Sequence, residues 1–84
     1  MARTRTEVLF YAKPQTIEAE GCYSISFYRP TGSNPVNVSG FDLDEGQSLA
    51  IQQNVGDEDW TSYDIVFYTG TGTNAIQVVK IKPE

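Results

Sequence analysis

The chain has 84 residues, with six Lys and Arg against eleven Asp and Glu, one Cys and no His. One domain of this length buries only ~60% of the surface its unfolded form exposes, so its core is thin and a deep catalytic pocket is hard to house. Without His it lacks the commonest general base and cannot build imidazole zinc sites or a Ser-His or Cys-His nucleophile. A single Cys permits neither an internal disulfide nor a CxxC knuckle. These counts point away from an enzyme and from any metal or cofactor.

The formal charge of −5 is unevenly spread: residues 1–13 carry Arg3, Arg5 and Lys13 against Glu7 alone, and the remainder holds three cations against ten carboxylates. Such a surface repels phosphate backbones, so nucleic acid is not an expected partner. No apolar h-region follows the charged start, and no apolar run approaches the ~20 residues of a membrane span, so neither export by a signal peptide nor membrane insertion is expected. Residues 1–6 contain nothing that packs and read as a flexible or arm-like terminus. As an arm, Arg3 and Arg5 would reach the acidic clusters at 42–45 and 57–59 of a neighbouring subunit. Residues 7–84 form one domain.

Short runs of β-branched and aromatic residues, bounded by Gly, Pro, Asn, Asp and Ser, predict strands at 6–13, 16–20, 22–29, 35–40, 47–54, 61–69 and 74–82. No segment has the 3.6-residue spacing of an amphipathic helix. Lys13-Pro14 ends the first strand, Glu20-Gly21 gives a tight reversal, and Asp44-Glu45-Gly46 and Val55-Gly56-Asp57 offer left-handed positions. The expected fold is all-β: a small antiparallel sandwich or compact barrel of about seven strands.

An internal repeat organises this pattern. Residues 23–38 align without gaps on residues 63–78, with eight of sixteen positions identical, as Tyr-x-Ile-x-Phe-Tyr-x-x-Thr-Gly-[Ser/Thr]-Asn-x-[Val/Ile]-x-Val. Tyr23, Ile25 and Phe27 share the parity of Tyr63, Ile65 and Phe67, so each copy aims an aromatic and aliphatic stripe at one side. Each copy reads as one hairpin reversing at its Thr-Gly segment, over 22–40 and 61–82. The two hairpins would bury their stripes against each other as halves of the sandwich.

Some strands are apolar on both faces: Val8 and Phe10 oppose Leu9 and Tyr11, and Val66 and Tyr68 oppose Ile65 and Phe67. In so small a chain the expected cover is another protein, through a homo-oligomer or larger assembly, burying some of Phe10, Tyr28, Val66 and Tyr68. Other candidates are fewer. Asp42-Leu-Asp44-Glu45-Gly46 begins like a calcium loop, but Gln53 stands where the bidentate Glu belongs, so it and Asp57-Glu58-Asp59 read as solvated turns. Cys22 reads as a buried, inert thiol. Trp60 and Tyr63 are the candidates for stacking on a sugar or other ligand, which makes a carbohydrate- or ligand-binding module the alternative function.

The stretch Val38-Ser-Gly40-Phe-Asp-Leu43-Asp-Glu-Gly46-Gln-Ser-Leu49, continued by Asp57-Glu-Asp-Trp-Thr61-Ser-Tyr63-Asp-Ile65-Val-Phe67 and Asn74-Ala-Ile76-Gln-Val78-Val79-Lys80, resembles small β-rich virion proteins of tailed bacteriophages. Those proteins place a Gly-x-x-Leu-x-x-Gly turn before a strand, then a Thr-x-Tyr-x-Ile-x-Phe strand and an Asn-x-x-x-Val-x-x-Lys strand. The resemblance covers roughly the last half of the chain and carries no catalytic residues. It implies a structural subunit of a head, neck or tail, or a head decoration protein, located in the virion, with the cytoplasm as the alternative location.

Overall fold

The computed structural model describes residues 3–54 and 56–83. It contains eight strands: β1 Thr4–Tyr11, β2 Gln15–Glu18, β3 Ser24–Tyr28, β4 Val36–Val38, β5 Phe41–Leu43, β6 Ser48–Gln52, β7 Ser62–Phe67 and β8 Ile76–Pro83. Two four-stranded antiparallel sheets face each other, the first ordered β1-β8-β3-β6 and the second β2-β7-β4-β5. The order is that of an eight-stranded jelly roll, a long nested hairpin (β1 with β8, β2 with β7, β3 with β6, β4 with β5) rolled so that β8 also pairs β3 and β7 also pairs β4.

This arrangement confirms the all-β sandwich and corrects two details. The eighth strand is β5, which pairs with β4 through a two-residue turn at Ser39 and Gly40, both with positive φ (47° and 91°), the geometry that suits tight hairpins. Three residues are too few to show alternation, so it was not legible as a strand. The second correction concerns the repeat: neither copy is a hairpin. The first runs from β3 in the first sheet to β4 in the second, and the other from β7 in the second sheet to β8 in the first. Connections of seven or eight residues are too long for a tight reversal and long enough to cross the sandwich.

The two copies are therefore interlocked. The opening strand of each pairs with the closing strand of the other, β3 with β8 and β4 with β7. A shift of four strands turns one sheet order into the other, so the forty-residue repeat is a pseudo-twofold axis that exchanges the sheets. The axis passes between the Thr-Gly loops, where equivalent residues meet: Ser33 bridges Thr73, and Asn34 Nδ2 donates to Asn74 Oδ1 at 2.8 Å. The symmetry is imperfect by two residues of register, because Phe27 faces Val78 whereas Phe67 faces Val36 rather than Val38. A two-residue slip preserves strand parity, so the apolar stripes stay inside.

The core is built mainly from the repeat. Ile25, Phe27, Val36, Val38, Ile65, Ile76 and Val78 are all buried, and Phe27 meets Tyr63 across the sandwich with ring centroids 5.4 Å apart. At one end the interior row of β8 turns charged: Lys80 and Lys82 are buried, with Lys80 Nζ 2.8 Å from Glu20 Oε1 and Lys82 Nζ 3.3 Å from Glu7 Oε1. Their stems extend the apolar core and the carboxylates supply the counter-charge that buried ammonium groups require.

The loop contact at the axis leaves no room for side chains. A Cβ at Gly72 would run into the Gly32 carbonyl oxygen, and one at Gly70 would lie 2.6 Å from Asn34 Oδ1. Gly72→Ala is expected to destabilise the domain by about 1–3 kcal/mol, in the range of overpacked sites. Urea unfolding measures this directly; a midpoint equal to wild type would show that the loops do not hold the two copies together.

Candidate functional site

The two outer faces differ in chemistry. On the first sheet the outward rows are Thr4 beside Pro83, then Thr6-Ile81-Ser24-Gln52, Val8-Val79-Ser26-Ala50 and Phe10-Gln77-Tyr28-Ser48. No charged residue stands among them, in a chain of net charge −5. Phe10 is 70% exposed and Val8 48%, and Ile81 is also exposed. With strands ~4.8 Å apart and same-face residues ~6.8 Å apart, these rows cover on the order of 400 Å², in which Val8, Phe10, Val79 and Ile81 stand among Ser, Thr and Gln side chains.

The outer face of the second sheet is acidic and internally hydrogen-bonded. Thr16 Oγ1 donates to Asp64 Oδ1 and Ser62 Oγ to Glu18 Oε2, while Asn37 Nδ2 and the Tyr68 hydroxyl both donate to Asp42 Oδ1. Those two donors hold the Asp42 carboxyl below its ordinary pKa, and the same bond raises the Tyr68 phenol. The four residues among which partner burial was expected therefore divide between the two faces. Phe10 and Tyr28 lie in one row of the uncharged face, whereas Val66 and Tyr68 lie among carboxylates on the opposite side, because β3 and β7 belong to different sheets.

The other sequence candidates are placed as follows. β1 begins at Thr4, so Arg5 sits in a paired strand opposite Lys82 rather than in a free arm; Arg3 is exposed just before it, and Met1 and Ala2 lie outside the described residues. Trp60 is 71% exposed and lies over Gly21, where an added Cβ would be 2.7 Å from its ring. Tyr63 is buried, its hydroxyl donating to Asp59 Oδ2 at 2.6 Å, so it offers no stacking surface beside Trp60. Cys22 is a buried free thiol whose pKa is pushed up by burial and by the nearby Asp59.

An open groove of about 420 Å³ lies where the Thr-Gly loops meet, lined by Arg29, Asn34, Glu45, Thr69 and Thr71 among others. Some of its polar groups are engaged within the fold, while Arg29 Nε is buried without a hydrogen-bond partner. Arg29 Nη1 and Nη2 donate to the carbonyls of Leu43 and Ser33, and Asn34 Oδ1 accepts from Gly72 N. Among the described residues no three His, Cys, Asp or Glu side chains group to hold a metal ion, and no helix is long and apolar enough to cross a membrane.

The uncharged face was only half visible in the sequence. Val8 and Phe10 stood out as apolar, but Ser24, Ser26, Ala50 and Gln77 did not. The available signal was subtractive: alternate positions of four strands, Thr4 to Phe10, Ser24 to Tyr28, Ser48 to Gln52 and Gln77 to Pro83, contain no charge.

Asp59 was expected in a solvated turn and is instead buried, accepting from Thr61 N and the Tyr63 hydroxyl while its backbone bonds Cys22 and Gly21. Burial pushes its pKa up, but the hydrogen bonds outweigh that and leave it below the ordinary carboxylate value; Tyr63 is pushed up to about 12 by burial and the Asp59 contact. Glu20 is also lowered, chiefly by its hydrogen bond from Lys80. Lowered carboxylates contribute stability that is complete above roughly pH 5 and lost as pH falls through their folded pKa values. Raised Tyr63 contributes stability complete below roughly pH 10 and lost as pH rises toward its folded value. Asp59→Asn should cost about 1–3 kcal/mol at neutral pH, flatten the acid limb and bring the Tyr63 ionisation down, as measured by urea unfolding across pH and by phenolate absorbance. An acid limb as steep as wild type would remove Asp59 from this role. Comparison with protein-family models, with curated proteins and with solved structures gave no match, so the functional reading rests on the geometry of the two faces and on the resemblance read in the sequence.

Proposed function

We propose that the domain is a non-enzymatic assembly module, a bacteriophage virion component such as a head decoration, neck or tail subunit, that lays the outer face of its first sheet on a flat, weakly charged protein surface. The observation that carries this reading is the uncharged face itself. A protein with almost twice as many carboxylates as cations keeps the outward rows of four adjacent strands free of both, and apolar area removed from water there contributes ~25 cal/mol per Å². Phe10 stands out from the face as an aromatic anchor, the type of side chain that dominates interface energetics. Jelly rolls serve viral capsid proteins as well as lectins and cupins, so the topology is compatible with a virion role without selecting it. The resemblance of the last half of the chain to phage virion proteins supplies the choice among them.

The alternative, a carbohydrate- or ligand-binding module, keeps one supporting observation in the exposed Trp60. The two readings separate by mutation. Co-expression with proteins encoded by neighbouring genes, followed by affinity measurement on any that co-purify, should give binding that Phe10→Asp weakens about 30-fold or more, the scale of a hot spot. Trp60→Ala should leave it within a few-fold. Neighbouring genes unrelated to portal, capsid or tail proteins, or binding indifferent to Phe10→Asp, would overturn the proposal. A Trp fluorescence response to a glycan panel, abolished by Trp60→Ala, would replace it with the alternative.

A further inference from the structure

We propose that the free edge of β1 pairs antiparallel with β1 of a second copy, about a twofold axis at Thr6, to make one continuous eight-stranded sheet. The four sheet edges are unequal. β6 has five residues, β2 has four directly after Pro14, and β5 has three between Gly40 and Gly46, whereas β1 has eight in unbroken register with β8. Natural edges are blunted by shortness, bulges, proline or charge because unpaired N–H and C=O groups recruit another strand. β1 has no bulge and no proline, and its only charges are Arg5 and Glu7.

Those two charges select the partner and the register. Arg5, Glu7, Leu9 and Tyr11 share the inward parity, and Thr4, Thr6, Val8 and Phe10 the outward, so pairing between copies must set like parity against like. An axis at Arg5 or at Glu7 would place either residue opposite its own copy, and like charges directly opposite are destabilising. An axis at Val8 sets Arg5 against Tyr11 and Glu7 against Leu9, and an axis at Leu9 sets Glu7 against Tyr11 and Arg5 against Lys13, so neither pairs opposite charges. At Thr6, the segment Thr4–Val8 pairs with itself, engaging five of the eight residues of β1, and Arg5 faces Glu7 of the second copy twice by symmetry. Arg5 also stands directly opposite Lys82 within its own sheet, so the incoming carboxylate lands where two cations are adjacent.

A second copy thus fits this edge by charge as well as by hydrogen bonding, the mode of β-strand addition. The contact is isologous and closes after two copies. Edge-to-edge pairing of this length buries little area, so the dimer is weak, with a dissociation constant in the micromolar range. It would carry the uncharged outer face across eight strands. This goes beyond the docking of that face on another protein, and the two fail separately: a monomer could still bind through Phe10, and a dimer could form with no further partner.

The test is sedimentation equilibrium of the full chain over a concentration series at low salt. Wild type should dimerise, and Arg5→Glu and Glu7→Arg should each weaken dimerisation ~10-fold or more, since each sets like charges opposite one another twice. An equimolar mixture of the two variants should recover association to within a few-fold of wild type, because the heterodimer restores both opposite-charge pairs. Glu7 also pairs with Lys82, so folding of that variant is checked by circular dichroism, and cross-linking gives an independent readout should it unfold. Thr6→Cys should oxidise to a covalent dimer at least several-fold faster than Val8→Cys, with little background from buried Cys22. A wild-type monomer at high micromolar concentration, a dimer indifferent to both charge variants, or cross-linking at Val8→Cys as fast as at Thr6→Cys would each overturn the proposal.

Discussion

Everything in this domain depends on two loops being able to touch. The Thr-Gly segments cross from sheet to sheet at the pseudo-twofold axis, and their backbones come together only because Gly70 and Gly72 carry no Cβ. Asn34 closes the contact, its side chain donating to Asn74 and accepting from Gly72 while its own N–H reaches the Thr73 carbonyl. This small polar knot sets where β3 ends and β4 begins, and where β7 ends and β8 begins. Because each opening strand pairs with the other copy's closing strand, the same knot determines which sheet receives each apolar stripe. Removing it would loosen both sheets together.

Parity then does the rest. Once the stripes of Ile25 and Phe27, Ile65 and Tyr63, and Ile76 and Val78 face inward, the alternate residues must face out, and their composition differs between sheets. The first sheet shows Ser, Thr, Val, Gln and Phe; the second shows Asp42, Asp64 and Glu18 with hydroxyl and amide partners. Side-chain hydrogen bonds on the second face keep its carboxylates in fixed positions and tie the Tyr68 hydroxyl to Asp42. The pseudo-symmetry thus organises the interior and stops at the surface, so a chain built from two like copies still has two unlike faces.

Much of this was legible in the sequence, and the limits have physical causes. Alternation gave the strands, the buried parity and the repeat, because a two-residue period over five or more residues can be counted. Pairing could not be counted: whether residues 23–38 fold back on themselves or cross to the other sheet depends on contacts with residues forty positions away. β5, with three residues, carries no period at all. Asp59 was misplaced because an acidic run looks solvated until Tyr63, four residues on, is seen to turn inward and need an acceptor. Tyr63 left the stacking candidates for the same reason. The uncharged face was scattered over four segments whose adjacency only the fold supplies.

The distribution of charge gives that face its meaning. Two domains of this kind brought together at random would most often set carboxylate against carboxylate, a repulsion screened only beyond about 8–10 Å at ordinary ionic strength. The outer rows of the first sheet avoid this cost, and so does the edge of β1, where a cation and a carboxylate stand two residues apart. The interior carries the complementary constraint. Lys80 and Lys82 are buried next to Glu7 and Glu20, so the end of β8 that pairs with the start of β1 is held by ion pairs rather than by apolar packing. Burying ions contributes little net stability, since desolvation offsets most of the attraction, but an unpaired buried ammonium is strongly disfavoured. The ion pairs therefore favour one alignment of β1 on β8 over its slipped alternatives, and that alignment keeps Thr4, Thr6, Val8 and Phe10 in the outer rows of the uncharged face.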